Sequence, residues 1–154
     1  MYYIDNANRK GLIAAISDAP SPGGGAVYDW DPDSVGSIPG SEGVELFDGL
    51  TNTNAITVFS SSSAASVARD YPVMPCPATI TCDEKYSLPS QAELMLLWGQ
   101  YKTIPLLGFL EVEYWSSTQR DDTVAWYVEF INGIVGSSSK SFSYGVRPVR
   151  TFYY

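Results

Sequence analysis

Apolar and polar residues alternate along several short segments near the two ends of the chain. Alternation with a period of two residues is typical of a β-strand with one buried face. The clearest case covers residues 124–131, and the Asn132-Gly133 pair that follows is typical of a tight hairpin turn, with a return strand beginning at Ile134. The pattern predicts further strands over residues 2–5, 11–16, 114–118 and 146–152.

A helical period replaces this alternation in the middle of the chain. Ser90 and Glu93 have the spacing of a capping box, which marks the start of a helix. The stripe after them follows the i, i+3, i+4, i+7 spacing of one buried helix face. Its members are Leu94, Leu97, Trp98 and Tyr101.

Residues 51–71 are predicted to be helical in pieces. Serines at 60–63 supply candidate N-caps between the pieces. The second piece carries a face of small and aromatic residues at helical spacing, formed by Ala64, Ala65, Ala68 and Tyr71.

A long segment rich in Gly, Pro, Ser and Asp, residues 18–44, shows no period and is predicted to be a long loop, or a loop with a short excursion. Its one apolar patch, residues 27–30, is expected to insert Trp30 into the core. Strands, then helices, then strands along the chain predict the α+β class.

Composition limits the size of the protein and the kinds of partner it takes. The chain has 154 residues, of which 45% are hydrophobic, so one domain over residues 1–154 is expected. A net charge of −8 without a basic stripe argues against nucleic acid and against an anionic membrane surface. No apolar run approaches the roughly 18–20 residues that span a bilayer, so no membrane insertion is expected.

Histidine is absent from the chain, which excludes His-based catalytic triads and His-ligated zinc. Cys76 and Cys82 either close a small disulfide loop or remain thiols, and the sequence leaves both open. The first residues do not have the pattern of a signal peptide. The chain is therefore either a protein that is not exported by the signal-peptide route or a domain of a longer protein, and the second interpretation is slightly favoured.

Five motifs in a fixed order resemble the Lcl C-terminal-like domain family, also called the major paralogous domain, a family of unknown function. Residues 3–15, read as YIDN followed by GLIAA, resemble its opening. The other four are TNTNAI at 51–56, LPS with EL at 88–94, the run YWSST–AW–F–NG at 114–133, and VRPVR at 146–150.

This resemblance implies a C-type-lectin-like fold. In such a fold the chain ends pair in one sheet, and two helices flank a mixed, mainly antiparallel sheet with a loop-rich β region. Similar folds occur in bacterial surface proteins, in phage receptor-binding proteins and in the variable proteins of diversity-generating retroelements. The resemblance implies an extracellular, cell-surface or virion location.

The sequence evidence for a metal site or a catalytic site is weak. Asp29, Asp31 and Asp33 alternate as in a calcium loop, but Ser34 and Gly40 stand where an EF-hand has Gly and Glu. We therefore expect a solvated acidic loop, with no metal and no cofactor. The carboxylate pairs Asp121–Asp122 and Glu111–Glu113 lack the apolar context of a glycosidase, so no enzyme is expected.

Several large aromatic residues and two arginines near the C-terminus are interpreted as structural rather than ligand-binding residues. Tyr114, Trp115 and Trp126 are expected to form core. Arg147 and Arg150 are expected to make ion pairs or hydrogen bonds to loop carbonyls.

Two polar segments of this region, residues 119–123 and 136–144, are predicted to be an exposed display surface. Mixtures of Ser and Tyr on a rigid scaffold are typical of recognition surfaces. We expect a non-enzymatic ligand-binding domain that presents this surface to a protein or glycan on a cell surface, with diversification of the surface as one version of that function. The alternative is a structural or assembly module of a larger virion or envelope protein. The predicted ligand-binding residues are Gln119, Arg120, Asp121, Asp122, Thr123, Ser137, Ser138, Ser139, Lys140, Phe142 and Tyr144.

Overall fold

The terminal strands of the chain pair with each other in a four-stranded sheet. The structure, a computed structural model, describes residues 1–20, 27–103, 108–110 and 112–154. The strands of this sheet are β1 (Tyr3–Asp5), β2 (Lys10–Ala14), β4 (Thr81–Cys82) and β9 (Val149–Tyr153). The strand order is β1-β2-β9-β4, and all pairs are antiparallel.

A second sheet has five strands: β3 (Val27–Asp29), β5 (Glu113–Gln119), β6 (Val124–Glu129), β7 (Ile134–Ser139) and β8 (Ser143–Gly145). Their order in the sheet is β3-β8-β5-β6-β7. The pairs are antiparallel except β5 with β8, which meet in parallel. Gly133 adopts a φ of +76° in the turn between β6 and β7, as the Asn-Gly signal predicts.

Among the described residues, three helices lie between the early and late strands, namely α1 (Gly49–Phe59), α2 (Ala64–Arg69) and α3 (Gln91–Tyr101). Ser63 caps α2 by accepting a hydrogen bond from the Ser66 N–H. Ser90 and Glu93 form the predicted capping box of α3. The helical prediction for residues 51–71 is confirmed, because the serines after Phe59 separate two helices.

Two apolar clusters fill the interior. One surrounds Trp30 and Trp115, both fully buried, and it includes the predicted alanine face of α2. The other joins Leu94 and Leu97 of α3 to Tyr114, Val128 and Phe130. The predicted insertion of Trp30 is confirmed, and its indole N–H donates to the Ser116 carbonyl at 2.7 Å.

Arg147 connects the last strands to the N-terminal segment. Its guanidinium is fully buried and forms an ion pair with Asp18 at 2.6 Å. It also donates to the carbonyls of Ala15 and Gly108. Arg150 donates to the Met74 carbonyl at 2.7 Å, so the structural interpretation of both arginines is confirmed.

The structure corrects several expectations. The α+β class is confirmed, but the part of the chain that the structure describes has three helices and two sheets, where two helices and one sheet are expected. The predicted loop at 18–44 contains β3, while residues 21–26 of it lie outside the described residues. Trp126 is half-buried and belongs to neither cluster, so its prediction as core is wrong, whereas Tyr114 and Trp115 are fully buried as predicted.

Candidate functional site

The two halves of the predicted display surface meet beside the loop that follows β3. The turn between β5 and β6 and the turn between β7 and β8 are joined by a hydrogen bond from the Lys140 N–H to the Thr123 carbonyl, 3.0 Å. The Asp31 N–H donates to the Lys140 carbonyl at 3.1 Å. The three segments enclose a recess of about 280 Å³, called here the acidic recess. It is lined by Asp31, Ser34, Gly36, Asp122, Thr123, Ser139, Lys140 and Ser141.

Lys140 forms part of the wall and is only 5% exposed. Its ammonium donates to the Gly36 carbonyl at 2.6 Å and to Gln119 Oε1 at 3.0 Å. The same ammonium lies 4.7 Å from the centre of the Trp30 ring, a cation–π distance. Burial lowers the pKa of Lys140, while nearby carboxylates, Asp31 first among them, oppose that effect.

Gln119 supports the recess from behind the Lys140 side chain. It is 4% exposed, and its amide makes a two-way hydrogen-bonded contact with the backbone of Ile38. Its Nε2 also donates to Glu42 at 2.8 Å. Gln119 therefore fixes the loop after β3 against the end of β5.

Asp31 contributes a carboxylate that is only 2% exposed. Its Oδ2 accepts a hydrogen bond from the Val35 N–H at 2.8 Å. Its Oδ1 is buried and has no hydrogen-bond partner among the described residues. A buried carboxylate oxygen without a donor is unfavourable, so this atom is an unused acceptor on a residue that lines the recess.

Asp121 shapes the turn that carries Asp122 and Thr123. Its Oδ1 accepts from the Thr123 N–H, the Thr123 hydroxyl and the Val124 N–H at 2.9–3.0 Å. These hydrogen bonds, with that from the Thr123 N–H the strongest, hold the pKa of Asp121 below its usual value. Asp121 therefore orders the turn, and Asp122 and Thr123 remain exposed beside the recess.

Arg120 leaves the recess and lies against the sheet. Its guanidinium carbon is 5.7 Å from the centre of the Trp126 ring, and its Nη1 donates to the Ser137 hydroxyl at 2.8 Å. Trp126 and Ser137 are direct partners in the β6–β7 register. These three residues form a ledge separate from the residues that line the recess.

A row of half-buried tyrosines crosses the second sheet. Tyr28 and Tyr144 are partners between β3 and β8, and the ring centres of Tyr127 and Tyr144 are 4.9 Å apart. Tyr144 also packs on the buried Trp115 at 4.5 Å and donates to the Ser138 hydroxyl at 3.1 Å. We call Tyr28, Tyr127 and Tyr144 the tyrosine face.

Close packing against the tyrosine face requires a glycine at position 136. A Cβ atom at position 136 would lie 2.5 Å from the Tyr127 hydroxyl and ring. The strand thus leaves room for a tyrosine ring where any larger residue would displace it.

The predicted ligand-binding residues are therefore divided among separate environments. Asp122, Thr123, Ser139 and Lys140 line the recess together. Gln119 and Lys140 are buried, so their prediction as exposed residues is wrong. The reason is that both side chains make hydrogen bonds to the loop after β3, about which the strand pattern carries no information.

The other predicted residues lie elsewhere. Ser137–Ser139 belong to β7 rather than to a loop, because the strand runs five residues past Ile134. Phe142 is 56% exposed at the turn before β8. The residues of the recess that lie outside the predicted display segments are Asp31, Ser34 and Gly36, and the sequence indicates Asp31 only as a calcium candidate.

The calcium candidates have separate partners. Asp29 accepts from the Ser143 hydroxyl and Asp33 from the Ser60 hydroxyl, while Asp31 lines the recess. Among the described residues, no group of three or more acidic or cysteine side chains is placed to hold a metal ion. Of the predicted carboxylate pairs, Glu111 lies outside the described residues.

Cys76 and Cys82 form a disulfide, which resolves the alternative that the sequence left open. In the described part of the chain, no helix is long and apolar enough to cross a membrane.

No protein-family profile matches the chain, and no curated protein matches it.

Proposed function

We propose that the chain is a non-enzymatic binding domain that presents the acidic recess and the turns around it to a protein or glycan on a cell surface. The observation that carries this proposal is the convergence of two predicted display segments with Asp31 around one recess. Loops held on a rigid sheet are where binding residues concentrate. The tyrosine face and the Arg120–Trp126 ledge would extend the same binding surface.

A C-type-lectin-like fold is part of the proposal. The pairing of β1 and β2 with the C-terminal β9, the helices between the strand groups and the long loop before α1 are consistent with it. The Cys76–Cys82 disulfide is compatible with an extracellular, cell-surface or virion location. In this proposal the recess is a variable receptor-binding surface of a phage or bacterium.

The test is binding of the fluorescently labelled chain to bacterial cells from its source community and to an array of glycans. Asp122→Lys and Ser141→Lys place bulky cations beside the recess at exposed positions. Glu84→Lys makes the same change of charge as Asp122→Lys at an exposed position outside the recess. The far-ultraviolet circular dichroism and melting temperature of each variant report whether the fold is kept.

We expect both recess variants to lose binding while Glu84→Lys retains it, with all three folded. Equal binding by the recess variants and the unmodified chain would contradict the recess as the binding surface. Absence of binding to every cell and glycan would contradict this class of ligand.

One observation favours assembly as a second candidate function. Met1 and Ile4 are 63% and 48% exposed, and they line an apolar depression of about 180 Å³ with Ile80, Phe152 and Tyr154. Permanent interfaces are more apolar than transient ones. Light scattering tests this role. The assembly role predicts an oligomer that the substitution Ile4→Lys dissociates. A monomer at all concentrations would contradict self-assembly through this patch.

A further inference from the structure

The acidic recess has more hydrogen-bond acceptors than available donors. Carboxylates of Asp31 and Asp122 and the hydroxyls of four residues line it: Ser34, Thr123, Ser139 and Ser141. Lys140 is the cation in its wall, but two of the ammonium's hydrogen bonds already go to Gly36 and Gln119. The carboxylate oxygens can only accept, while the hydroxyls can both donate and accept, so a ligand that enters the recess meets more acceptors than donors.

The charge around the recess is negative. Four carboxylates act on Lys140 through space, those of Asp31, Asp121, Asp122 and Glu42. The cations on these segments are Lys140 and Arg120, and Arg120 is engaged with Trp126 and Ser137. Within the described residues Lys140 makes no ion pair, so no carboxylate of the recess is neutralised by direct contact.

Asp31 adds an observation that is independent of the number of acidic residues. It is 98% buried, and its Oδ1 lacks a hydrogen-bond donor among the described residues. Buried polar atoms in proteins are nearly always satisfied, and the exceptions call for an explanation. A donor supplied by a ligand in the recess would satisfy this oxygen.

We propose that the recess binds the guanidinium of an arginine side chain on a protein partner. This inference rests on the proposed binding function and names the chemistry that the site selects. A guanidinium presents five N–H donors in one plane, so it can reach acceptors on different walls at once, whereas an ammonium is compact and more strongly hydrated. A recess of about 280 Å³ has room for this group.

The experiment is a titration of the full chain, isotopically labelled with nitrogen-15, followed by two-dimensional NMR. The probes are N-acetyl-arginine methylamide, the lysine analogue, and the citrulline analogue, which has nearly the shape of arginine but no charge. We expect the arginine probe to shift the amide signals of residues 31–36, 122–123 and 139–141 at millimolar concentration. The lysine probe should bind more weakly, and the citrulline probe should leave these signals unchanged.

Two substitutions test the carboxylates. Asp122→Asn is at an exposed turn position and should keep the fold, and Asp31→Asn tests the buried acceptor. Each should weaken arginine binding about tenfold, as expected for the loss of a charge-assisted hydrogen bond. Glu84→Gln removes one exposed charge outside the recess and should leave the affinity unchanged.

Equal shifts with citrulline, or arginine shifts that persist in both aspartate variants, would overturn the proposal. Arginine binding that fails while the chain still binds cells or glycans would overturn the guanidinium assignment and leave the binding function standing. Arginine binding that persists while the chain binds no cell and no glycan would overturn the proposed class of ligand and leave the guanidinium assignment standing.

Discussion

Arg147 and Lys140 are both buried cations, but their surroundings differ. Arg147 contacts the carboxylate of Asp18 at 2.6 Å and stacks on Phe109, with its guanidinium carbon 3.7 Å from the ring centre. Lys140 donates to two neutral oxygens, and its carboxylate neighbours act only at longer range.

This difference distinguishes a buried cation that belongs to a structural network from a buried cation in the wall of a candidate binding site. Around Arg147 a direct counter-charge offsets the loss of hydration, and the network joins the two ends of the chain. Around Lys140 the carboxylates keep their capacity to accept, and one oxygen of Asp31 has no donor among the described residues. Burial of a cation therefore does not by itself indicate which of the two roles a residue has.

The largest effect should come from breaking the Arg147 network. Arg147→Met leaves Asp18, whose side chain is only 10% exposed, without its counter-charge. We expect the free energy of unfolding to fall by about 3–5 kcal/mol in urea denaturation. Arg69→Met is the matched control, because the Arg69–Asp70 pair is exposed and its loss should cost under about 1 kcal/mol. Similar losses for both variants would contradict the structural role of Arg147.

Glu93 is a buried acidic residue. Burial raises its pKa from 4.5 to about 7, although hydrogen bonds from the N–H groups of Ser90, Phe47 and Gly49 oppose the shift. The folded carboxyl thus keeps its proton to a higher pH than the unfolded one. The resulting stability is fully present below pH 4.5 and is lost as the pH rises to about 7, a change of about 3 kcal/mol.

The absence of histidine makes this pH interval suitable for a test. Urea denaturation between about pH 5 and about pH 6.5 should show stability falling with pH, and Glu93→Gln should flatten the slope. Glu84→Gln, at an exposed position, should leave the slope as it is. A slope that survives Glu93→Gln would exclude Glu93 as its source.

Lys140→Met should have a smaller effect than Arg147→Met. It removes donors from Gly36 and Gln119, but Gln119 Oε1 keeps the N–H of Ile38 as a partner. We expect a loss of about 2 kcal/mol in the free energy of unfolding. Lys85→Met, an exposed lysine, controls for the loss of charge. A loss as large as that of Arg147→Met would remove the distinction between the two cations.

Trp126→Ala should have the smallest effect of the four. Trp126 is half-buried under Arg120, so we expect a loss of about 1 kcal/mol. Trp115→Ala, at a fully buried position, should cost about 3–5 kcal/mol. Equal decreases in the thermal unfolding temperature of the two variants would show that Trp126 is a core residue.

Local sequence signals predicted the elements of the fold well. The Ser90–Glu93 capping box, the Asn132-Gly133 turn and the alanine face of α2 depend on residues close in the chain, so their spacing carries the information. The split of residues 51–71 into two helices followed from the serine run in the same way.

The candidate site was predicted only in part, because contacts between distant segments form it. Lys140 reaches the carbonyl of Gly36, which lies 104 residues away in the chain, and Gln119 bonds Ile38 at a separation of 81 residues. A serine-rich stretch indicates exposure on average, and no periodicity reveals that one lysine within it turns inward. The role of Asp31 depends on the same long-range pairing.

The central claim is that exposed residues around the recess form a binding surface on a fixed support. Sequencing this gene across its source population tests that claim most directly. The account predicts substitutions concentrated at the exposed positions Thr123, Ser141 and Phe142, with Gln119, Lys140 and Arg147 unchanged. Substitutions spread evenly over buried and exposed positions of this region would contradict it.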